Sequence, residues 1–189
     1  MKKNYFFFLL LYSLIALANQ LFAANLLDFA WSGAVTHDSA VVAAGIKNHR
    51  TTNGTIAVEI KAFDNPNLNG APASSWSGYA VSANYYIVKA ELSNLIPDTK
   101  YYYGIYVNNV LDNELNDADN GTNSYTGTFK TFPPANQPAS FMFTFSCSGK
   151  PYTEKNAIWD TIKDQDSLFF LHSGDLYYSD QGTAKGYTN

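Results

Sequence analysis

The sequence predicts a β-sandwich followed by the first βαβ unit of an α/β domain. Residues 24 to about 132 alternate apolar and polar side chains with a period of two, a proline-rich segment follows, and residues 140–189 contain two continuous apolar runs. The 189-residue chain is 46% hydrophobic and 16% aromatic. This composition provides enough apolar side chains for a packed core and favours strands, because aromatic side chains fit pleated surfaces.

The first 23 residues have the organisation of a secretory signal peptide. Two lysines precede an apolar run from Tyr5 to about Leu17, and a short segment ending in Ala23 follows. This run is shorter than the roughly 20 residues that a membrane-spanning helix needs. We therefore expect cleavage after Ala23, or alternatively after Ala24, and a secreted or periplasmic protein with no stable membrane span. An uncleaved anchor or a buried N-terminal helix is the alternative interpretation.

The segment after the leader is predicted to consist of short antiparallel strands. Strict alternation with Asn, Gly and Pro between the runs is typical of strands that bury one face, and several such strands in about 110 residues indicate a β-sandwich. The alternating sets are Ile56, Val58 and Ile60; Tyr86, Val88, Ala90 and Leu92; Tyr101, Tyr103, Ile105 and Val107; and Tyr125, Gly127 and Phe129.

One heptad within this segment carries a family resemblance. Residues 95–101 read Leu-Ile-Pro-Asp-Thr-Lys-Tyr and resemble the Leu-x-Pro-x-Thr-x-Tyr segment of fibronectin type III domains. The resemblance implies that the hydroxyl of Tyr101 bonds back to the preceding turn and holds the corner between two strands. Such a motif indicates a fold and not a function.

The chain changes character after residue 132. Three prolines between 131 and 138 favour an extended connector, and we assign residues 133–139 as a linker. Two continuous apolar runs, 140–145 and 167–171, flank a segment from Glu154 to about Lys163 with the spacing of a helical face. This order predicts parallel strands that are buried on both sides and joined by a helix.

The predicted βαβ unit places polar residues at one sheet edge. Cys147 follows the first apolar run and Asp175 follows the second. Parallel strands point the same way, and ligands of open α/β sheets bind at the carboxyl edge. We therefore expect the thiol, the carboxylate and the phenol of Tyr178 to share one crevice.

Two motifs at this edge resemble those of PhoD-type alkaline phosphatases of the calcineurin-like metallophosphoesterase superfamily. The first is Phe145-Ser146-Cys147, which resembles their Phe-x-Ser-Cys segment. The second is His172-Ser173-Gly174-Asp175-Leu176-Tyr177-Tyr178, which resembles their His-x-Gly-Asp-x-x-Tyr segment. The order of leader, small sandwich and Ser-Cys strand is also similar to that family, so residues 140–189 are expected to begin a metallophosphoesterase domain.

The resemblance implies a metal site with iron and calcium as cofactors. Asp175 would bridge two metal ions, and Cys147 and Tyr178 would bind ferric iron as thiolate and phenolate. His172 and Ser146 would support these ligands without binding metal themselves. A metal-activated hydroxide would attack the phosphorus of a phosphoester substrate. Which phosphoester is hydrolysed stays open.

Alternatives remain at this point. Purple acid phosphatases share the Gly-Asp-x-x-Tyr segment, but they have an aspartate on the first strand, where this chain has Ser146 and Cys147. A non-catalytic exported sandwich module is the other alternative. The chain has no Asn-His pair or later histidines after Asp175, so we expect the N-terminal part of a longer hydrolase, inactive by itself. A net charge of -4 and a pI near 5.2 argue against a nucleic-acid-binding surface.

Overall fold

The computed structural model describes residues 26–47, 54–112, 125–147, 161–162 and 164–174. Ten strands are present in these residues, and most of them pair antiparallel. A short 3-10 helix at Ser82–Asn84 connects the fourth strand to the fifth. In chain order the strands are β1 Leu27–Gly33, β2 Ala40–Ile46, β3 Thr55–Phe63, β4 Ser74–Val81, β5 Ile87–Leu92, β6 Lys100–Val107, β7 Val110–Leu111, β8 Gly127–Lys130, β9 Phe143–Ser146 and β10 Phe169–His172.

Strands β1 to β8 form the two antiparallel sheets of a β-sandwich, as the sequence predicts. One sheet has the order β1-β2-β5, and the other has the order β4-β3-β6-β7 with β8 also paired to β6. Both sheets contribute to a single core: its members from the first sheet include Val42, Val88 and Leu92, and those from the second include Ile60 and Ile105.

The alternation in the sequence decides which side chains enter the core. In β3 the side chains of Ile56, Val58 and Ile60 are buried, while those of Thr55 and Ala57, which alternate with them, are exposed. Successive side chains of a strand point to opposite faces, so a single register buries the whole apolar set. Burying large aliphatic side chains of this kind contributes about 1.5–3 kcal/mol each.

A tyrosine fixes the approach to β6. The hydroxyl of Tyr101 accepts a hydrogen bond from the backbone N–H of Ile96 at 2.9 Å. Nearby, the hydroxyl of Thr131 donates to the carbonyl of Ile96 at 2.7 Å and accepts from the N–H of Thr99 at 2.9 Å. These bonds satisfy the polar groups of the turn before β6 and confirm the role predicted for Tyr101.

Strands β9 and β10 form a separate two-stranded parallel sheet, with Phe143 opposite Phe169 and Ser146 opposite His172. The rings of Phe143 and Phe169 stack with centroids 5.2 Å apart. Phe132, just after β8, contacts Phe169 at 5.8 Å between ring centroids. The aromatic contacts thus join the linker region to the start of the parallel pair.

The predicted crossover between these strands lies mostly outside the described residues. Thr161, Ile162 and Asp164 are helical, but the structure does not describe residues 148–160. The helix of the βαβ unit therefore stays a prediction.

The expectation that both faces of these strands are buried is not met in the described residues, because Phe143, Phe145 and Leu171 are 50%, 60% and 49% exposed. The described part of this sheet has two strands, and a two-stranded sheet covers little of its own apolar surface.

Candidate metal centre

The predicted site residues divide into two groups. Ser146, Cys147 and His172 are described by the structure, and all three lie at or directly after the carboxyl ends of β9 and β10. Asp175 and Tyr178 lie outside the described residues. Their assignment as metal ligands therefore stays a prediction.

The register of the parallel pair brings the two motifs to one edge. Ser146 is the partner of His172 across the sheet, and the N–H of Ser173 donates to the carbonyl of Ser146 at 2.9 Å. Both strands therefore end at the same level. Cys147 follows Ser146 directly, as Ser173 follows His172, so the two chain ends leave the paired strands side by side.

Gly174 has a backbone conformation that side chains rarely adopt. Its φ is +126°, which is strained for any residue with a Cβ. The sequence shows this glycine as part of the Gly174-Asp175 pair. Only the structure shows that its backbone adopts a positive φ. Gly174 determines the direction in which the chain leaves β10.

The imidazole of His172 is positioned as a hydrogen-bond donor. Its Nδ1 accepts a hydrogen bond from the N–H of Gly174 at 3.3 Å. In the neutral ring the proton then resides on Nε2. Nε2 is buried and has no hydrogen-bond partner within the described part of the chain. A buried polar atom of this kind costs about 1–3 kcal/mol unless it gains a partner.

Cys147 presents an accessible thiol at the same edge. It is a free cysteine with an exposed side chain. Its own carbonyl accepts a hydrogen bond from the hydroxyl of Ser146 at 3.3 Å. Ser146 therefore contacts the backbone of the predicted ligand, and its supporting role stays a prediction.

The donor set that the sequence predicts would suit the metals that the resemblance implies. Thiolate, carboxylate and phenolate are anionic donors appropriate for a high-valent iron, and carboxylate oxygens are the preferred ligands of calcium. Within the described ranges, no three His, Cys, Asp or Glu side chains gather in a way that could hold a metal ion.

In the same ranges, no helix has the length and apolar character needed to cross a membrane.

The chain resembles a solved structure of PhoD in fold. The two superimpose with a TM-score of 0.64 at 16% sequence identity, over 77% of this chain and 27% of PhoD. The chain thus spans about a quarter of the length of that protein. Residues 27–130, which contain β1 to β8, make up just over half of the chain, so the likeness extends beyond the sandwich strands. At this identity the likeness shows a shared fold alone.

Other solved structures are less similar. The fn3 domain of human contactin 1 has a TM-score of 0.35 at 14% identity, over 62% of this chain and 85% of that domain. The sensor domain of the anti-sigma factor RsgI4 of Pseudobacteroides cellulosolvens has a TM-score of 0.37 at 20% identity, over 55% of this chain and 89% of that domain. No protein-family model and no curated protein matches the chain.

Proposed function

We propose that this chain is the N-terminal part of an exported, metal-dependent phosphoester hydrolase of PhoD type. The observation that carries the proposal is the parallel pairing of β9 and β10, with Ser146 opposite His172. This register sends two motifs, 26 positions apart at that pair, to one edge of the sheet. The likeness to PhoD in fold, over 77% of this chain, supports the same proposal.

The proposed ligands are Cys147, Asp175 and Tyr178, with iron and calcium as the metal ions. When bound, the metals supply the nucleophile and stabilise the charge that develops around phosphorus. The Nε2–H of His172 donates a hydrogen bond to a carboxylate or phosphate oxygen at this edge. Ser146 holds the backbone of Cys147 through its hydroxyl, and Gly174 directs the chain toward Asp175.

The exposed apolar side chains of the parallel pair support the same assignment. Phe143, Phe145 and Leu171 are each about half exposed. In α/β domains helices and further strands cover both faces of a parallel sheet. We infer that β9 and β10 belong to a larger parallel sheet of this kind, as a metallophosphoesterase domain requires.

Metal analysis of the purified full-length hydrolase, of which this chain is the proposed N-terminal part, tests the ligand assignment. We expect Asp175→Asn and Cys147→Ser to reduce the iron content measured by mass spectrometry after desalting. Asp166→Asn is the matched control, since Asp166 is an exposed carboxylate in the turn before β10. Equal iron in wild-type protein and Asp175→Asn would show that the assignment is wrong.

Sequence and activity measurements separate the hydrolase from the alternatives. The reading frame beyond codon 189 is expected to encode an Asn-His pair and later histidines. The protein that it encodes is expected to hydrolyse 4-nitrophenyl phosphate or bis(4-nitrophenyl) phosphate in proportion to its iron content. A non-catalytic sandwich module predicts no such segment and no effect of Cys147→Ser.

A further inference from the structure

A bulge in the first strand turns two aromatic side chains outward. Leu27 is buried, and the next residue of β1 that pairs with β2 is Phe29, opposite Gly45. Asp28 is therefore an extra residue in the ladder, and it reverses the face on which the following side chains lie. Without the bulge, alternation from Leu27 would direct Phe29 and Trp31 into the core. With it, these two side chains are 40% and 63% exposed.

The bulge places small side chains inside the sandwich instead. Ala30 packs against the core, and the hydroxyl of Ser32 donates a hydrogen bond to the carbonyl of Thr128 at 3.2 Å. Burying Phe29 and Trp31 in their place would remove far more apolar area from water. Apolar burial alone therefore does not favour this register, and the exposure of the two rings calls for a role at the surface.

The surface around the two rings is flat. Gly45 lies beneath Phe29, and a Cβ added to Gly45 would be 2.5 Å from a ring carbon of Phe29. Trp31 lies opposite Ala43, the next outward residue of β2. Because β2 presents only a hydrogen atom and a methyl group at these two positions, its side chains do not rise between the rings of β1 and the neighbouring strand β5.

Polar side chains lie on the far side of this surface. Ile87 of β5 is opposite Gly45, and Lys89 is opposite Ala43. Glu91 follows on the same face, and all three residues of β5 are exposed. The ammonium group donates hydrogen bonds, the carboxylate accepts them, and their charges are opposite. Together with the two rings of β1, these three residues form a surface that we call the aromatic face.

The size of the aromatic face limits what can occupy it. Strands are about 4.8 Å apart and residues about 3.4 Å apart along a strand, so three strands and the positions from Phe29 to Gly33 span about 10 Å by 14 Å. A stable protein–protein interface buries about 800 Å² on each partner, which is several times larger. Insertion into lipid would remove Lys89 and Glu91 from water at high cost. The area and the charges therefore favour a narrow, polar ligand.

A chain of sugar rings has this chemistry. The C–H bonds on the face of a pyranose carry partial positive charge, and they pack against the electron-rich face of an aromatic ring. The sugar hydroxyls donate and accept hydrogen bonds, as Glu91 and Lys89 require. Equatorially linked pyranoses form an extended ribbon that presents such C–H faces repeatedly. One ribbon can therefore cover both Phe29 and Trp31, whose Cα atoms are about 7 Å apart along β1.

We propose that the aromatic face binds a neutral polysaccharide of equatorially linked pyranoses, which stacks on Trp31 and Phe29. The sandwich then holds the exported chain on a glycan surface. The proposal goes beyond the phosphoester hydrolase and uses none of its metal ligands, so the failure of one leaves the other intact.

Binding of the purified chain to microcrystalline cellulose and to chitin tests the proposal. Sedimentation of each polymer should deplete the wild-type chain from solution, and titration with cellohexaose and chitohexaose shows which sugar is preferred. Trp31→Ala should raise the Kd about fivefold or more, the effect of losing a principal contact. Tyr79→Ala is the matched control, since Tyr79 is 66% exposed on the other sheet, and it should bind as the wild type does.

Two more replacements separate stacking from general apolar contact. Trp31→Phe keeps an aromatic ring and should retain most of the affinity, whereas Trp31→Leu should lose as much as Trp31→Ala. Equal affinity of the wild type and Trp31→Leu would overturn the proposal, as would the absence of binding to both polymers.

Other occupants of the aromatic face have their own signatures. A wild-type dimer that Trp31→Ala converts to a monomer in analytical ultracentrifugation would make the face an interface between copies and overturn the proposal. Sedimentation with phosphatidylcholine vesicles that Trp31→Ala abolishes would make it a lipid contact and overturn the proposal as well. A monomer that stays in solution with such vesicles and binds the glycan through Trp31 is the expected result.

Discussion

The hydroxyl of Tyr101 accepts the N–H of Ile96 at 2.9 Å and so fixes the corner between the turn and β6. The ring of Tyr101 is almost fully buried and lies 5.5 Å from that of Phe129, between centroids. One side chain therefore packs in the core and satisfies a backbone donor of the turn. This combination explains why a tyrosine and not a phenylalanine occupies the position.

Replacing Tyr101 by Phe should lower the free energy of unfolding by about 1–3 kcal/mol, because the partly buried N–H of Ile96 loses its acceptor. Urea denaturation followed by fluorescence measures the change. Tyr79→Phe is the matched control: Tyr79 is 66% exposed, and its replacement should change stability by no more than about 0.5 kcal/mol. Equal effects of the two replacements would show that the hydrogen bond between Ile96 and Tyr101 does not stabilise the fold.

Gly127→Ala should destabilise the sandwich by about 1–3 kcal/mol, the usual cost of overpacking. A Cβ at this position would collide with the hydroxyl of Tyr103, whose ring is buried. Gly33→Ala offers the comparison, since no atom lies within 4 Å of its added Cβ. Thermal unfolding of both variants checks the prediction, and a fully stable Gly127→Ala would show that the Tyr103 ring is free to move.

The stability of the sandwich should fall in alkaline solution through Tyr103. Burial raises the pKa of Tyr103 to about 12, and a hydrogen bond with Ser32 acts in the opposite direction. Above pH 10 the unfolded chain ionises this phenol while the folded chain does not, so stability is lost between pH 10 and 12. This rise in the pKa of Tyr103 corresponds to a loss of about 3 kcal/mol in the free energy of unfolding.

Tyr103→Phe removes this contribution. Its free energy of unfolding should decline less steeply than that of the wild type over the same alkaline interval, as measured by urea denaturation at each pH. Tyr79→Phe again provides the control and should keep the wild-type slope. Identical slopes for wild type and Tyr103→Phe would contradict the raised pKa.

The thiol of Cys147 should report on metal binding directly. Because it is exposed, iodoacetamide should modify it readily in metal-free protein. Ferric iron should slow the modification in the wild type, since a bound thiolate is unavailable as a nucleophile. Asp175→Asn should weaken this protection, whereas Asp166→Asn should not. Peptide mass spectrometry follows the reaction, and protection that is the same in all three proteins would exclude Asp175 as a ligand to the same metal.

Much of the sandwich could be predicted because its signals are local. The alternation in β3 and β6 and the heptad that ends in Tyr101 each specify a structure within a few residues. Strand β4 is harder to predict from the sequence. Its inward positions are Ser74, Trp76, Gly78 and Ala80, a set without the β-branched side chains that are typical of strands.

The candidate site was predictable only in its outline. The sequence alone indicated that Ser146-Cys147 and the segment starting at His172 follow two apolar runs, and the paired strands confirm that these ends meet. It could not show which nitrogen of His172 carries the proton, because that depends on the bond from Gly174.

The sequence by itself determined the strand periodicity, the turn before Tyr101 and the order of the motifs, all of which depend on neighbours along the chain. Only the tertiary structure decided the division into two sheets and the contact of Asp112 with Leu26. The physical reason is distance along the chain. The carboxylate of Asp112 contacts the N–H of Leu26 only because folding brings together two residues 86 positions apart. No local sequence pattern predicts such a contact.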